Sequence, residues 1–319
     1  PKRMRWGAGD VVFVRPVHWL VVLFGNDVVP VELMGVSSSR DSRGHRFHHP
    51  DPVTIAEPAV YARVLMDSHV VADHDQRLER IRSGIQTMAR SAGATADPEE
   101  DLLEEVASLV EWPIPVLGSF DSRFLEIPSE VLVSSMQEHQ RYFPLRDPET
   151  ESLLPLFITV ANIDSRQPQA VVRGNERVIR PRLTDAEFFW NKDKKQKLES
   201  LTAGLDAVVY QKELGTLGDK TRRVASLACA FADQFGVTPA DAKRVAALAK
   251  CDLLTEMVGE FPDLQGTMGK YYARAQGEPE AIALAIEEHY RPRFAGDGIP
   301  ESALGSLAAV CDRCDTLLG

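Results

Sequence analysis

The spacing of apolar residues changes several times over the first 210 positions. The runs "VVFVRP", "HWLVVLFG" and "VVPVELMG" are rich in Val and Leu, and polar turns such as Asn26 with Asp27 break them. That pattern predicts a β-meander. From Asp73 through "QRLERIRSGIQTMARSAG" apolar residues recur three and four apart, which predicts a helix. "DPEEDLLEEVASLVEW" repeats the period, with Asp97 as its expected cap and Glu99 and Glu100 at its positive end. "PIPVLGSF" reads as a strand, and "PSEVLVSSMQEHQ" as a helix with Pro128 in its first turn. "LLPLFITVAN" is almost wholly apolar and is expected at the centre of a sheet.

Beyond about Gly215 the period is helical. "KTRRVASLACAFADQFG" ends at Gly236, and "PADAKRVAALAKCDLLTEMV" starts again at Pro239. "PEAIALAIEEHYRP" and "ESALGSLAAVCDRCDTLLG" complete an all-α bundle. The chain therefore predicts an α+β fold: a mixed domain over residues 1–205, then a helical domain over 206–319. The polar, irregular "KDKKQKLESLTAGLDAVVYQKELG" carries the boundary. No internal repeat or low-complexity segment is evident.

Composition narrows the class. A length of 319 residues suits two domains, and 44% hydrophobic residues can build their cores. A net charge of −11 argues against a protein wholly wrapped around nucleic acid, but leaves room for one basic face. Four cysteines are too few for a disulfide scaffold. Cys229, Cys251, Cys311 and Cys314 are expected as free thiols of a reducing compartment, Cys311 and Cys314 as buried helix thiols. Cys311 and Cys314 form a C-x-x-C, yet the second pair that a zinc ribbon needs is missing. The basic start and apolar run of the N-terminus have the outline of a signal peptide. Asp10, Arg15 and His18 interrupt that run, and no small-residue cleavage site follows. No other segment reaches the roughly 20 apolar residues of a membrane span. A soluble, cytoplasmic protein is expected and, since the chain starts at Pro1, a piece of a longer one.

Two stretches carry candidate chemistry. "DSRGHRFHHP", residues 41–50, gathers Arg43, His45, Arg46, His48 and His49, with Arg40 just ahead. The arginines would repel a dication, so no metal site is expected. The same groups suit phosphate oxygens and bases. A solvated loop with an edge-strand histidine remains the alternative. The second stretch, "VVRGNERVIRPRLTDAEFFWNKDKKQKL", holds Arg173, Arg177, Arg180 and Arg182, then Lys192, Lys194, Lys195 and Lys197. Basic residues interleaved with aromatics can grip RNA. Alternatively Phe188 and Phe189 are a buried helix face, and Arg182 pairs with Asp185 or Glu187 at helical spacing. P-loop, nucleophile-elbow, zincin and dinucleotide-binding motifs are all absent, so no catalytic residue is assigned.

A longer set of motifs carries a resemblance. "MRWG", "RPVHW", "RGHRFH", "LLEEVASLVEWP", "ANIDS", "GNERVIRPRLTDAEFF", "LGTLGDKTRRV", "KCDLLTEMVGEFPDLQGTMGKYYA" and "YRPRFAGD" span almost the whole chain in order. Together they closely resemble the β subunit of bacterial heterotetrameric glycyl-tRNA synthetase. The resemblance implies a tRNA-binding, structural role in an α2β2 ligase. The α subunit would hold the active site for glycine and ATP with Mg2+, leaving no cofactor in this chain. It also implies a central piece of the subunit: an editing-like domain similar to that of the phenylalanyl-tRNA synthetase β subunit, then an HD-like helical domain incomplete at its C-terminal end. Metal-binding positions of HD phosphohydrolases fall by pattern at Lys220, Cys251, Asp252 and Asp312. Two imidazoles are thus replaced, and the aspartates are expected to cap or pack helices or to pair with Lys220. A hydrolase, either tRNA-editing or metal-dependent, is the competing reading. For the first, a pocket for glycine already excludes larger amino acids by size.

Overall fold

The computed structural model describes residues 3–319; Pro1 and Lys2, which begin the basic N-terminal run, lie outside them. It is an α+β protein with two compact units. One unit takes residues up to 121 together with 136–178, and the other takes 122–135 together with 179–319. The division therefore falls earlier than the boundary expected at 205/206. A 26-residue helix, Pro168–Asp193, spans this division and ends before the polar stretch at which the boundary was expected. Helical spacing was open for residues 182–189, but Pro181 hid the continuation of the helix back to Pro168, since proline normally interrupts helices.

The first unit is built on a three-stranded antiparallel sheet. Leu153–Ala161 is its central strand, flanked by Ile114–Ser119 and Phe143–Arg146. Helix His74–Ser91 buries Ile81, Ile85 and Ala89, four residues apart, in a core shared with Leu103, Val106 and Ile158. A Cβ at Gly84 would meet the Pro115 ring at 2.6 Å, so glycine lets this helix lie close to strand Ile114–Ser119. Asp73 caps the helix by accepting from the Gln76 amide at 2.9 Å. Helix Glu100–Leu109 starts three residues beyond Asp97, so Asp97 is not its cap, and Glu99 at that position makes no side-chain cap bond. The N-terminal runs form strands of two to four residues, and Leu20–Val21 pairs in parallel with Val36–Ser39. That parallel pair departs from a simple meander.

The second unit is mainly helical. Helices Leu217–Phe231, Pro239–Leu248 and Ala303–Leu318 share a core of Val224, Ala228, Ala246, Leu307 and Cys311. The "TLGD" of the sequence is a capping box: Thr216 and Asp219 exchange backbone-to-side-chain bonds at 2.9 and 3.1 Å. Cys251 and Cys311 are buried, and burial pushes both thiols up to about 11. Cys314 is exposed, against the expectation of a buried pair, because it sits three residues along helix Ala303–Leu318 on its outer side. Among the described residues no helix is long and apolar enough to cross a membrane.

Candidate nucleic-acid interface

The loop of residues 44–51 hangs from a hairpin in which Asp41–Arg43 pairs with Pro52–Thr54. His45 in this loop is not on offer to a ligand. His45 is 1% exposed. Its Nδ1 accepts from the amides of Phe47 and His48, each at 3.2 Å, so Nε2 carries the proton and donates to the Asn162 carbonyl at 2.6 Å. This corrects the expectation of His45 as an RNA contact: it is the loop's internal brace. Arg40 is likewise inward-facing, donating to the backbone carbonyls of Asn26 at 2.8 Å and Ala56 at 3.3 Å. Gly44 has no positive φ; glycine is needed because a Cβ would lie 2.8 Å from the His49 carbonyl oxygen.

His48 joins a row of rings. It lies 4.9 Å from His69, which lies 4.9 Å from Trp112, and the Arg80 guanidinium sits 4.0 Å over that indole. His48 Nε2 accepts from the Asp164 amide at 3.0 Å. Burial, followed by the neighbouring His45 and His69, holds the His48 pKa below the usual imidazole value.

With His45 and Arg40 turned inward, Arg43 and Arg46 are left exposed. They share the wall of a cleft of about 630 Å³ with His18, Trp19 and Glu111. Trp19 is 47% exposed. Trp19 and Glu111 were not singled out by sequence, since neither belongs to a charged run. The nearest signals were the positions of Trp19 inside "RPVHW" and of Glu111 inside "LLEEVASLVEWP".

Helix Pro168–Asp193 carries the second set. In the first unit Arg173 and Arg177 are exposed, four residues apart. In the second, Arg180 is exposed and Arg182 pairs with Glu260 at 3.4 Å rather than with Asp185 or Glu187. Glu187 instead faces Arg123 at 3.5 Å. Phe188 is 59% exposed, so the buried-face reading fails for it; the buried aromatic is Trp190, stacked on Tyr272 at 5.4 Å. Lys192 pairs with Glu256, Lys194 lies 5.1 Å over the Trp190 ring, and Lys195 is exposed. Asp193 fixes the helix end by accepting from the Met257 amide at 2.9 Å and the Tyr272 hydroxyl at 3.1 Å.

The four positions expected to match an HD metal set, Lys220, Cys251, Asp252 and Asp312, all make hydrogen bonds or ion pairs within their own unit. Lys220, 3% exposed, donates to Asp312 O at 3.0 Å, Asp315 Oδ2 at 3.2 Å and Thr316 Oγ1 at 2.8 Å. Asp312 also lies 3.5 Å from Lys250. Asp252 Oδ2 accepts from the amides of Gly266 at 2.5 Å and Gly269 at 3.0 Å, at the start of helix Thr267–Ala275. Burial nevertheless pushes the Asp252 carboxyl up to about 6, and lowers the Lys250 pKa. Cys251 Sγ faces the Ala247 carbonyl at 3.3 Å. An ammonium among these carboxylates and a hydrogen-bonded thiol do not fit a divalent cation. Lys250 and the buried His289, which line the same small cavity, were missed from sequence because neither falls on the HD pattern.

A family model described as glycyl-tRNA synthetase beta subunit matches residues 1–319. The chain is 52% identical over 319 residues to the glycine–tRNA ligase beta subunit of Chromohalobacter salexigens, covering 100% of this chain and 46% of that protein. It is 50% identical over 321 residues to that of Marinobacter nauticus, and 51% over 318 residues to that of Pseudomonas savastanoi, with the same coverage. The chain thus spans about half the length of the curated relatives it matches. On this evidence the chain belongs to the glycyl-tRNA synthetase beta subunit family.

Proposed function

We propose that this chain is the tRNA-gripping, structural part of a glycine–tRNA ligase β subunit. Glycine activation with ATP and Mg2+ then takes place in the partner α subunit of a cytoplasmic α2β2 complex. In this reading the first unit is the editing-like part without editing activity, and the second is an HD-like part that holds no metal. The observation that carries it is the outward presentation of Arg43 and Arg46 on a loop braced from inside by His45. Bracing matters because a pre-ordered arginine pair loses less entropy on meeting phosphates. Exposed Arg173, Arg177 and Arg180 supply further phosphate contacts.

The test is made in the full β subunit paired with α. Arg43→Ala with Arg46→Ala should lower glycylation through weaker tRNA binding and leave glycyl-adenylate formation near wild type. Equal loss of both steps would show that the loop acts through the α subunit or the fold. Unchanged tRNA affinity and glycylation in the folded double variant would discard the reading for this loop.

A further inference from the structure

We propose that the cleft around Trp19 is a pocket for one unpaired nucleotide of RNA, with the base on the indole and the flanking phosphates on Arg43 and Arg46. This deepens the tRNA-gripping reading and rests on it. Four observations point the same way.

The cleft of about 630 Å³ is large enough for a nucleoside monophosphate. Trp19 lines it and also lines a second hollow of about 420 Å³, whose other walls include Leu20, Leu23, Ile55 and Tyr61. A half-exposed indole between two hollows, one of them lined by Arg43 and Arg46, offers a flat ring a stacking platform. Among the described residues no carboxylate lies within 4.0 Å of the Arg43 or Arg46 guanidinium, so both charges are free for phosphate.

Glu111 decides the class of ligand. A site for bare phosphate or for an acidic peptide gains nothing from a carboxylate on its wall and is weakened by it. A nucleobase does gain, because the exocyclic amine of cytosine, adenine or guanine donates to a carboxylate. Uracil flanks its one ring N–H with two carbonyl oxygens, which a carboxylate repels, so a base with an amine is favoured over uracil. The wall is also held in place. The Glu111 amide donates to Asn162 Oδ1 at 2.8 Å, and Asn162 O accepts from His45. Arg43, Arg46 and Glu111 are therefore hung from one backbone junction and not from independent loops.

The experiment uses the full β subunit with its α partner, titrated with labelled pentacytidylate, pentauridylate and inorganic tripolyphosphate, and with intact tRNA(Gly). Pentacytidylate should bind more tightly than pentauridylate. Trp19→Ala should weaken it about tenfold, and Trp19→Phe, which keeps a ring, should retain most of the affinity. Glu111→Ala should narrow the gap between the two oligonucleotides. Urea midpoints of each variant show that the fold is kept, and the Glu111→Ala comparison carries the test if Trp19→Ala does not fold. The proposal is overturned if Trp19→Ala or, in its place, the Glu111→Ala comparison leaves oligonucleotide binding unchanged. It is also overturned if tripolyphosphate displaces pentacytidylate as well as an equal charge of RNA does. If tRNA(Gly) still binds through the arginines while the Trp19 and Glu111 variants match wild type, only the pocket falls. If wild-type subunit binds no tRNA, the tRNA-gripping reading falls with it.

Discussion

His45 donates from Nε2 to the backbone carbonyl of Asn162 at 2.6 Å, although 117 positions separate the two residues. Asn162 closes the junction with its own side chain, whose Oδ1 accepts from the amides of Glu111 at 2.8 Å and Trp112 at 2.9 Å. Two motifs far apart in sequence, "RGHRFH" and "ANIDS", are thus one structural unit. Residue 162 directly follows Ala161, the last residue of the central strand, so the arginine loop is fastened to the most deeply paired element of its unit.

Removing the brace should therefore cost stability, while removing the arginines should not. His45→Ala leaves the Phe47 and His48 amides and the Asn162 carbonyl without their partner in a buried setting. A loss of about 3 kcal/mol is expected. Arg43→Ala with Arg46→Ala should stay within about 0.5 kcal/mol of wild type, since both side chains are exposed. Urea midpoints compare the two. Equal midpoints would mean that His45 does not brace the loop.

The contrast between these residues also says what a sequence can disclose. Periodicity located Leu153–Ala161 and His74–Ser91 because burial on one face or both leaves a pattern in consecutive residues. Composition located the loop and its exposed arginines, but not which of its polar groups turn inward. His45 and Arg46 are neighbours in sequence with opposite fates, and the difference is made by an acceptor at Asn162. The meeting of Trp19 and Glu111 was hidden for the same reason: they stand in separate motifs and become a wall only when those segments meet. Helix Pro168–Asp193 escaped because tertiary packing, through buried Ile179, Leu183, Ala186 and Trp190, overrides the local cost of Pro181.

The buried ammonium of Lys220 lends itself to a volume-matched test. Lys220→Met keeps the stem but removes a charge that meets Asp312 at 3.5 Å and Asp315 at 3.2 Å. Breaking a buried pair on one side exposes the partner to an uncompensated field. Asp315 keeps Arg223 at 2.6 Å and Asp312 keeps Lys250, so the loss should be near the lower end, about 3 kcal/mol. A Met variant as stable as wild type in thermal unfolding would show that the cluster contributes nothing net.

Asp252 should give the second unit a pH signature of unusual sign. Its native carboxyl is pushed up to about 6 by burial, above its unfolded value near 3.8, and Oδ1 is buried with no hydrogen-bond partner. The native state therefore holds this proton more tightly than the unfolded state. The contribution of Asp252 is most favourable below about pH 4 and declines as pH rises to about 6, by on the order of 2–3 kcal/mol. Asp252→Asn keeps an oxygen for the Gly266 and Gly269 amides but cannot titrate. Stability of wild type relative to the variant should fall between pH 4 and 6 and level off above. A difference that does not vary with pH would refute the assignment.

The basic helix offers the sharpest separation between RNA contact and fold. Arg177 and Arg180 are exposed, whereas the Arg182 guanidinium already faces Glu260 at 3.4 Å. A phosphate contact releases counterions, so each lost contact should lower the slope of log affinity against log salt by roughly 0.7 to 0.9. On the tRNA-gripping reading, Arg177→Ala and Arg180→Ala each reduce the slope by that amount for tRNA(Gly). Arg182→Ala should reduce it less, because Glu260 already offsets its charge. Stability should barely change in the first two variants, since neither side chain is buried. Fluorescence anisotropy over a salt series in the αβ complex reads the slopes directly. An unchanged slope in both exposed variants, with the fold intact, would make this helix a structural strut and confine RNA contact to other surfaces. A slope lost most at Arg182 would mean that the Glu260 pair opens on binding.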